Sequence, residues 1–215
     1  MSRRTKRTLL AAAAVGVVAA IAAPVMAAEL SSEPAGEDVI GTTVHVALKA
    51  GTKATFSGLF TGGGTVTATC TGSSFNMPVD ASSASPLGPV RISDPTFTGC
   101  TDNLGGTDTI TTNGTWTATF IDAANDETTE GPDQLKLVMP KAGATATSTA
   151  APAGCVVTFS PSGTTPISKP YDDKSTYTIT GQAIAESATA QCPPPGSAAT
   201  FNATYVISPG IHDAS

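Results

Sequence analysis

Proton transfer near neutral pH draws first on histidine, and this chain of 215 residues has two, His45 and His212. His45 stands between Val44 and Val46 in an alternating run, which turns it to the solvent side of a strand. His212 lies close to the last residue. A serine hydrolase needs a Gly-x-Ser-x-Gly elbow beside a histidine base, and no such elbow occurs. Metalloprotease and phosphate-loop signatures are missing too: there is no His-Glu-x-x-His, and Gly62-Gly63-Gly64 lacks a following lysine. The glycine run reads as a hairpin loop before the strand at Thr65. Carboxylates are densest at Asp122, Asp126, Glu127, Glu130 and Asp133. Calcium takes about six to eight oxygen ligands, but the regular spacing of a calcium loop is missing. A solvated acidic loop is the reading, with a weak calcium site as the alternative. Asp172 and Asp173 are adjacent, so an extended chain points them to opposite sides. A glycosidase needs two carboxylates facing one sugar at about 5–10 Å. The only tryptophan, Trp116, alternates with threonines as a core residue does, and Tyr171 is the one aromatic expected in solvent. Asn113-Gly114-Thr115 and Asn202-Ala203-Thr204 match a glycosylation pattern by chance, while residues 145–152 offer hydroxyls for O-linked sugars. The expectation is no catalytic residue, no cofactor and no metal.

The strongest motif concerns address. Arg3, Arg4, Lys6 and Arg7 precede an uncharged run over residues 9–23, Pro24 breaks it, and small residues at Ala27 and Ala28 suit a signal peptidase. The run falls short of the roughly 20 residues needed to cross a bilayer. Residues 1–28 are therefore expected to be a signal peptide, taken by general secretion rather than a twin-arginine route. The remainder holds 7 basic against 17 acidic side chains, a net of −10. That surface repels phosphate backbones, which argues against nucleic acid as a partner.

Charged residues make up 13% and apolar ones 40%, which excludes charge-driven disorder. Threonine stands out, with 33 copies after residue 28. It is β-branched and favours strands, while 21 glycines and 16 prolines cut them short. Apolar residues recur every second position around Val44, Val66, Trp116, Leu135, Val157, Tyr177 and Phe201. Weaker strands are read at 54–60, 75–79, 90–97, 107–112 and 182–190. The expected fold is all-β: an antiparallel two-sheet β-sandwich of about ten to twelve strands with almost no helix. The expected core takes Val66, Ala68, Trp116, Phe120, Leu137, Val157, Tyr177, Ile179, Phe201 and Tyr205. Asn113-Gly114 suits a two-residue hairpin, although that turn sets Ile110 opposite Thr117 and off the Trp116 face. Asp172-Asp173-Lys174 marks another reversal. Residues 143–154 read as a linker or, slightly better, a mobile edge strand. A signal peptide at 1–28, a flexible acidic lead-in at 29–39, a domain at 40–209 and a tail at 210–215 complete the plan.

Thr115–Ile121 lines up with Thr200–Val206, each after a cysteine and a glycine-containing loop, so halves at 40–122 and 133–208 are suspected repeats. Four cysteines in an exported chain form two disulfides. The repeat favours Cys70 with Cys100 and Cys155 with Cys192; the crossed pairing, Cys70–Cys155 and Cys100–Cys192, is the alternative. Chain entropy hardly separates them.

The Ala-rich start, Cys70-Thr71, the segment Phe97-Thr98-Gly99-Cys100-Thr101, two later cysteines and the aromatic strand running to Pro209 resemble a loose set of uncharacterised secreted actinobacterial proteins. The resemblance implies a β-rich extracellular fold and carries no catalytic residue. The function expected is non-enzymatic: a structural or interaction module, secreted to the medium or held at the cell wall, whose partner is a protein or an envelope component. The alternative is a carrier of a small apolar ligand, held in a cleft above about 300 Å³ lined by residues such as Phe56, Phe60, Phe75 or Met77.

Overall fold

The computed structural model describes residues 29–32, 37–38, 41–59, 64–78, 90–121, 134–163, 165–170, 175–192, 198–209 and 211–214. Among them are sixteen strands and no helix. In chain order these are β1 (Glu29–Ser32), β2 (Glu37–Asp38), β3 (Thr43–Leu48), β4 (Ala54–Leu59), β5 (Thr65–Pro78), β6 (Val90–Asp102), β7 (Thr107–Thr112) and β8 (Trp116–Ile121). Then follow β9 (Gln134–Met139), β10 (Ala144–Ser148), β11 (Val157–Phe159), β12 (Thr165–Pro170), β13 (Thr176–Ile184), β14 (Glu186–Ala188), β15 (Ala199–Ser208) and β16 (Ile211–Ala214). The pairings between them are antiparallel.

Thirteen strands form one hydrogen-bonded sheet, and β16, β1 and β2 form a second, small one. The main sheet is continuous because β5 and β6 are long, 14 and 13 residues. β5 pairs with β3 over its C-terminal half and with β4 over its N-terminal half. β15 does the same from the other side, so β3 and β4 share one slot, end to end. β6 pairs with β5 from Ser93 to Asp102, with β8 over Val90–Ile92 and with β7 at Cys100 and Thr101. From β13 the sheet runs β15, β3, β5, β6, β7, β10, β11 to β14, with β9 and β12 branching off through β8. Its two ends are chain neighbours, since Ala185 alone separates Ile184 of β13 from Glu186 of β14. The sheet must therefore curl until its edges meet. Phe56 of β4 stacks on Phe159 of β11 across the resulting interior, with ring centroids 5.1 Å apart.

Alternation decides which side chains fill that interior. Trp116, Leu137, Tyr177, Ile179, Phe201 and Tyr205 are buried, as the period of two predicts. Val66, Ala68 and Val157 are only half-buried, because they line an open end of the curl. The Phe120 side chain lies outside the described residues. Tyr205 keeps its hydroxyl satisfied by Ser73, 3.0 Å away, and burial pushes its ionisation up to about 12.

Several local expectations fail for physical reasons. Asn113-Gly114 makes no hairpin: β7 pairs with β6 and β10, while β8 pairs with β6 and β9. The dipeptide is instead a corner between the two branches. The Asn113 N–H donates to the Gly143 carbonyl at 2.9 Å, which also accepts from Trp116 Nε1 at 3.1 Å. Ile110 and Trp116 therefore never oppose one another. The predicted edge strand within 143–154 is interior, since β10 is flanked by β7 and β11 and Ala144 is fully buried. Its small side chains let neighbours close in. The lead-in and the tail are paired, Glu29 with Ala214 and Ser32 with Ile211. β12 was hidden by Pro166 and Pro170.

Cys70 is joined to Cys100, and Cys155 to Cys192. The first bridge links residues directly opposite on β5 and β6. Gly99 immediately precedes the bridged Cys100 with φ +59°, and a side chain there would collide with Thr71 Oγ1. The second bridge is different in kind. Cys155 does not stand on a strand as the alternation suggested; it sits in a turn, its N–H bonded to the Pro152 carbonyl, and Cys192 follows β14.

Candidate functional site

One end of the curled sheet is filled by aromatic rings. Phe56 and Phe201 stack at 4.6 Å, and Phe75 meets Tyr205 edge-on at 5.5 Å. The space between them is about 20 Å³, room for about one water and no larger body. The cleft expected around Phe56 and Phe75 is therefore closed by ring packing, and Phe60 lies outside the described residues.

The other end opens as a groove of about 140 Å³. Its floor is Phe56 and Phe159, its walls are inward-facing residues of β4, β5, β7, β10 and β11, and its rim includes Leu104, 61% exposed, and Ala150. Three carboxylates project into this mostly apolar space: Asp102, Asp108 and Glu186. Register explains their convergence. Asp102 is opposite Ala68, Asp108 is opposite both Cys100 and Ser148, and Glu186 is opposite Phe159. Each thus occupies an inward position of its strand.

Their environments differ. Asp102 is 9% exposed and holds the β6–β7 turn: its Oδ1 accepts from Leu104 N and Gly106 N at 2.8 Å each, and its Oδ2 accepts from the Ser148 hydroxyl. Burial opposes its charge, but the donors from Ser148, Gly106 and Leu104 outweigh that, and its ionisation is shifted below the usual carboxylate range. Asp108 is the converse. Burial, and then the neighbouring Asp102 charge, push it up to about 6. Below about pH 6 the pair shares its protons unequally, with Asp102 keeping the charge and Asp108 the proton. Glu186 is raised by burial alone. Asp108 Oδ2 and Glu186 Oε1 are buried atoms without a hydrogen-bond partner among the described residues. Room for Glu186 comes from Gly58, where a Cβ would lie 3.0 Å from Oε1.

This titration has a sign. The folded state holds the Asp108 proton between about pH 4 and pH 6, where the unfolded chain releases it, so this carboxyl's contribution to stability falls as pH rises through that window. Asp102 contributes oppositely, with stability lost as pH drops below its unfolded value. After discounting for solvent screening, the Asp108 effect is about 1 kcal/mol. Urea midpoints of wild type and Asp108→Asn should therefore diverge between about pH 4 and pH 7, with wild type losing ground. Parallel curves would contradict the buried-acid assignment.

None of these three carboxylates was singled out in the sequence. His45 is exposed, its Nδ1 2.6 Å from Asn76 Oδ1, and takes no part in the groove. The acidic run from Asp122 to Asp133, the pair Asp172 and Asp173, Tyr171, and the cleavage residues Ala27 and Ala28 lie outside the described residues. The His212 side chain does too. Among the described residues no group of three His, Cys, Asp or Glu is arranged to hold a metal ion, and no helix is long and apolar enough to cross a membrane. No family model, no curated protein and no solved structure matches the chain.

Proposed function

We propose that the protein is an exported, non-enzymatic binding module of the cell envelope or the medium, and that the open mouth of its curled sheet is the working surface. The branch through β8, β9 and β12 acts as the second layer of a sandwich, closing the far end with Trp116 and Leu137. The observation that carries the reading is the groove of about 140 Å³ lined by inward-facing residues of the sheet. Mouths of barrel-like sheets are habitual ligand sites. An engineered apolar cavity of about 150 Å³ holds one benzene, so the groove suits a body of about one ring rather than a large carried lipid. Both cystines favour an oxidising compartment. The groove holds no histidine, and the ionised Asp102 is committed to the β6–β7 turn, which supports binding over turnover.

Filling the mouth tests this. Val66 lines it and is half-buried, so Val66→Trp should occupy the space. Protein isolated from its own host should release a small molecule on denaturation, detected by mass spectrometry, and the Val66→Trp variant should not. Release of the same molecule by both would refute the assignment of the mouth. So would turnover, in a broad hydrolase panel, that disappears with Asp108→Asn.

A further inference from the structure

The groove's charge specifies its occupant more closely, an inference that rests on the mouth being a binding site. Its lining holds three carboxylates and no lysine, arginine or histidine. Asp102 is committed to the turn and to Ser148. Asp108 meets Asp102 and Ser148, but its Oδ2, like Glu186 Oε1, has no donor among the described residues. An unsatisfied carboxylate oxygen is costly, and both side chains line one space that holds no cationic side chain, so a donor entering there is favoured. Below them lie the rings of Phe56 and Phe159, an apolar seat for the body of a ligand; Phe56 is itself stacked on both Phe159 and Phe201. A neutral apolar ligand would leave both oxygens unsatisfied, and an anion would be repelled. A bare metal ion would want a tight cluster of ligands, which the three acids do not make.

We propose that the mouth binds a small organic cation: an ammonium group donating to Asp108 and Glu186, carried on an apolar body of about one ring seated on Phe56 and Phe159. Gly58 is the positioning residue, since a side chain there would press on the Glu186 carboxylate.

Benzylammonium is the probe, with benzyl alcohol as its neutral counterpart and benzoate as the anion, titrated calorimetrically into the purified protein near neutral pH. Benzylammonium should bind at least about tenfold more tightly than benzyl alcohol, the scale of one charge-assisted hydrogen bond. Benzoate should not bind. Glu186→Gln should erase most of that preference while benzyl alcohol is unaffected, and Asp108→Asn should reduce it. Ala150→Trp, at the exposed rim, should block both probes without disturbing the core. Equal binding of the cation and the alcohol, or a preference that survives Glu186→Gln in a folded variant, overturns the cation assignment and leaves the mouth as a binding site. If no probe binds and Ala150→Trp and Val66→Trp also leave the host-derived ligand unchanged, both readings fall.

Discussion

Truncation of Trp116 to alanine is expected to lower the unfolding free energy by about 3–5 kcal/mol, the range for removing a large buried aromatic. The side chain is 5% exposed, sits opposite Ile92 in the β6–β8 ladder, and shares its enclosed space with Phe56, Leu137 and Phe201. It also closes a corner. Its Nε1–H and the Asn113 N–H converge on the Gly143 carbonyl, so one oxygen anchors the turn out of β7, the start of β8 and the approach to β10. Trp116→Phe keeps most of the packing and leaves that carbonyl its backbone donor, so its cost should be at most half that of alanine. Because Trp116 is the only tryptophan, urea melts should be followed by circular dichroism. A loss under about 1 kcal/mol for the alanine variant would place this residue outside the core.

Removing either disulfide should cost about 3.5–4 kcal/mol in the loop model, because the spans of 30 and 37 residues are nearly equal. Equal stability losses should still have unequal functional results. Cys70 and Cys100 brace two long strands already held by an extensive ladder. A Cys70→Ala, Cys100→Ala double variant should be less stable but should retain the groove. Cys155 lines the mouth, and its bond to Cys192 ties down the turns flanking β11 and β14, which are only three residues each. The Cys155→Ala, Cys192→Ala variant should lose probe binding along with stability. Denaturant midpoints and benzylammonium titrations on both variants check this. Identical binding in the two would show that the mouth does not depend on its local bridge.

The period of two was legible because it reports one physical constraint, a strand with one wet face. It located the strands around Val44, Trp116, Tyr177 and Phe201, and it placed His45 in solvent. The hairpin at Asn113-Gly114 failed because local turn chemistry says nothing about whether a sheet branches there. The interior position of β10 was illegible because its alanines and threonines carry little hydrophobic contrast. The carboxylates of the mouth were overlooked for a different reason. Attention went to acid density at Asp122–Asp133, whereas the useful signal was parity. Asp102 stands two residues from Cys100, Asp108 two from Ile110, and Glu186 two from Ile184, each in step with a buried residue. An acid in step with the core is costly unless the core is open at that level.

The slot that β3 and β4 share has a temporal consequence. Both strands are made early, yet one of their flanks is supplied by β15: His45 pairs with Ser208 and Thr55 with Asn202. Pairings of such long sequence separation slow folding, because the closure entropy is met before any contact repays it. Until residues 199–208 arrive, the ring cannot close and the mouth does not exist. The nascent chain therefore cannot complete its ring until nearly all of it has been made. Any truncation before β15 strands the first half of the protein with an open, aggregation-prone edge.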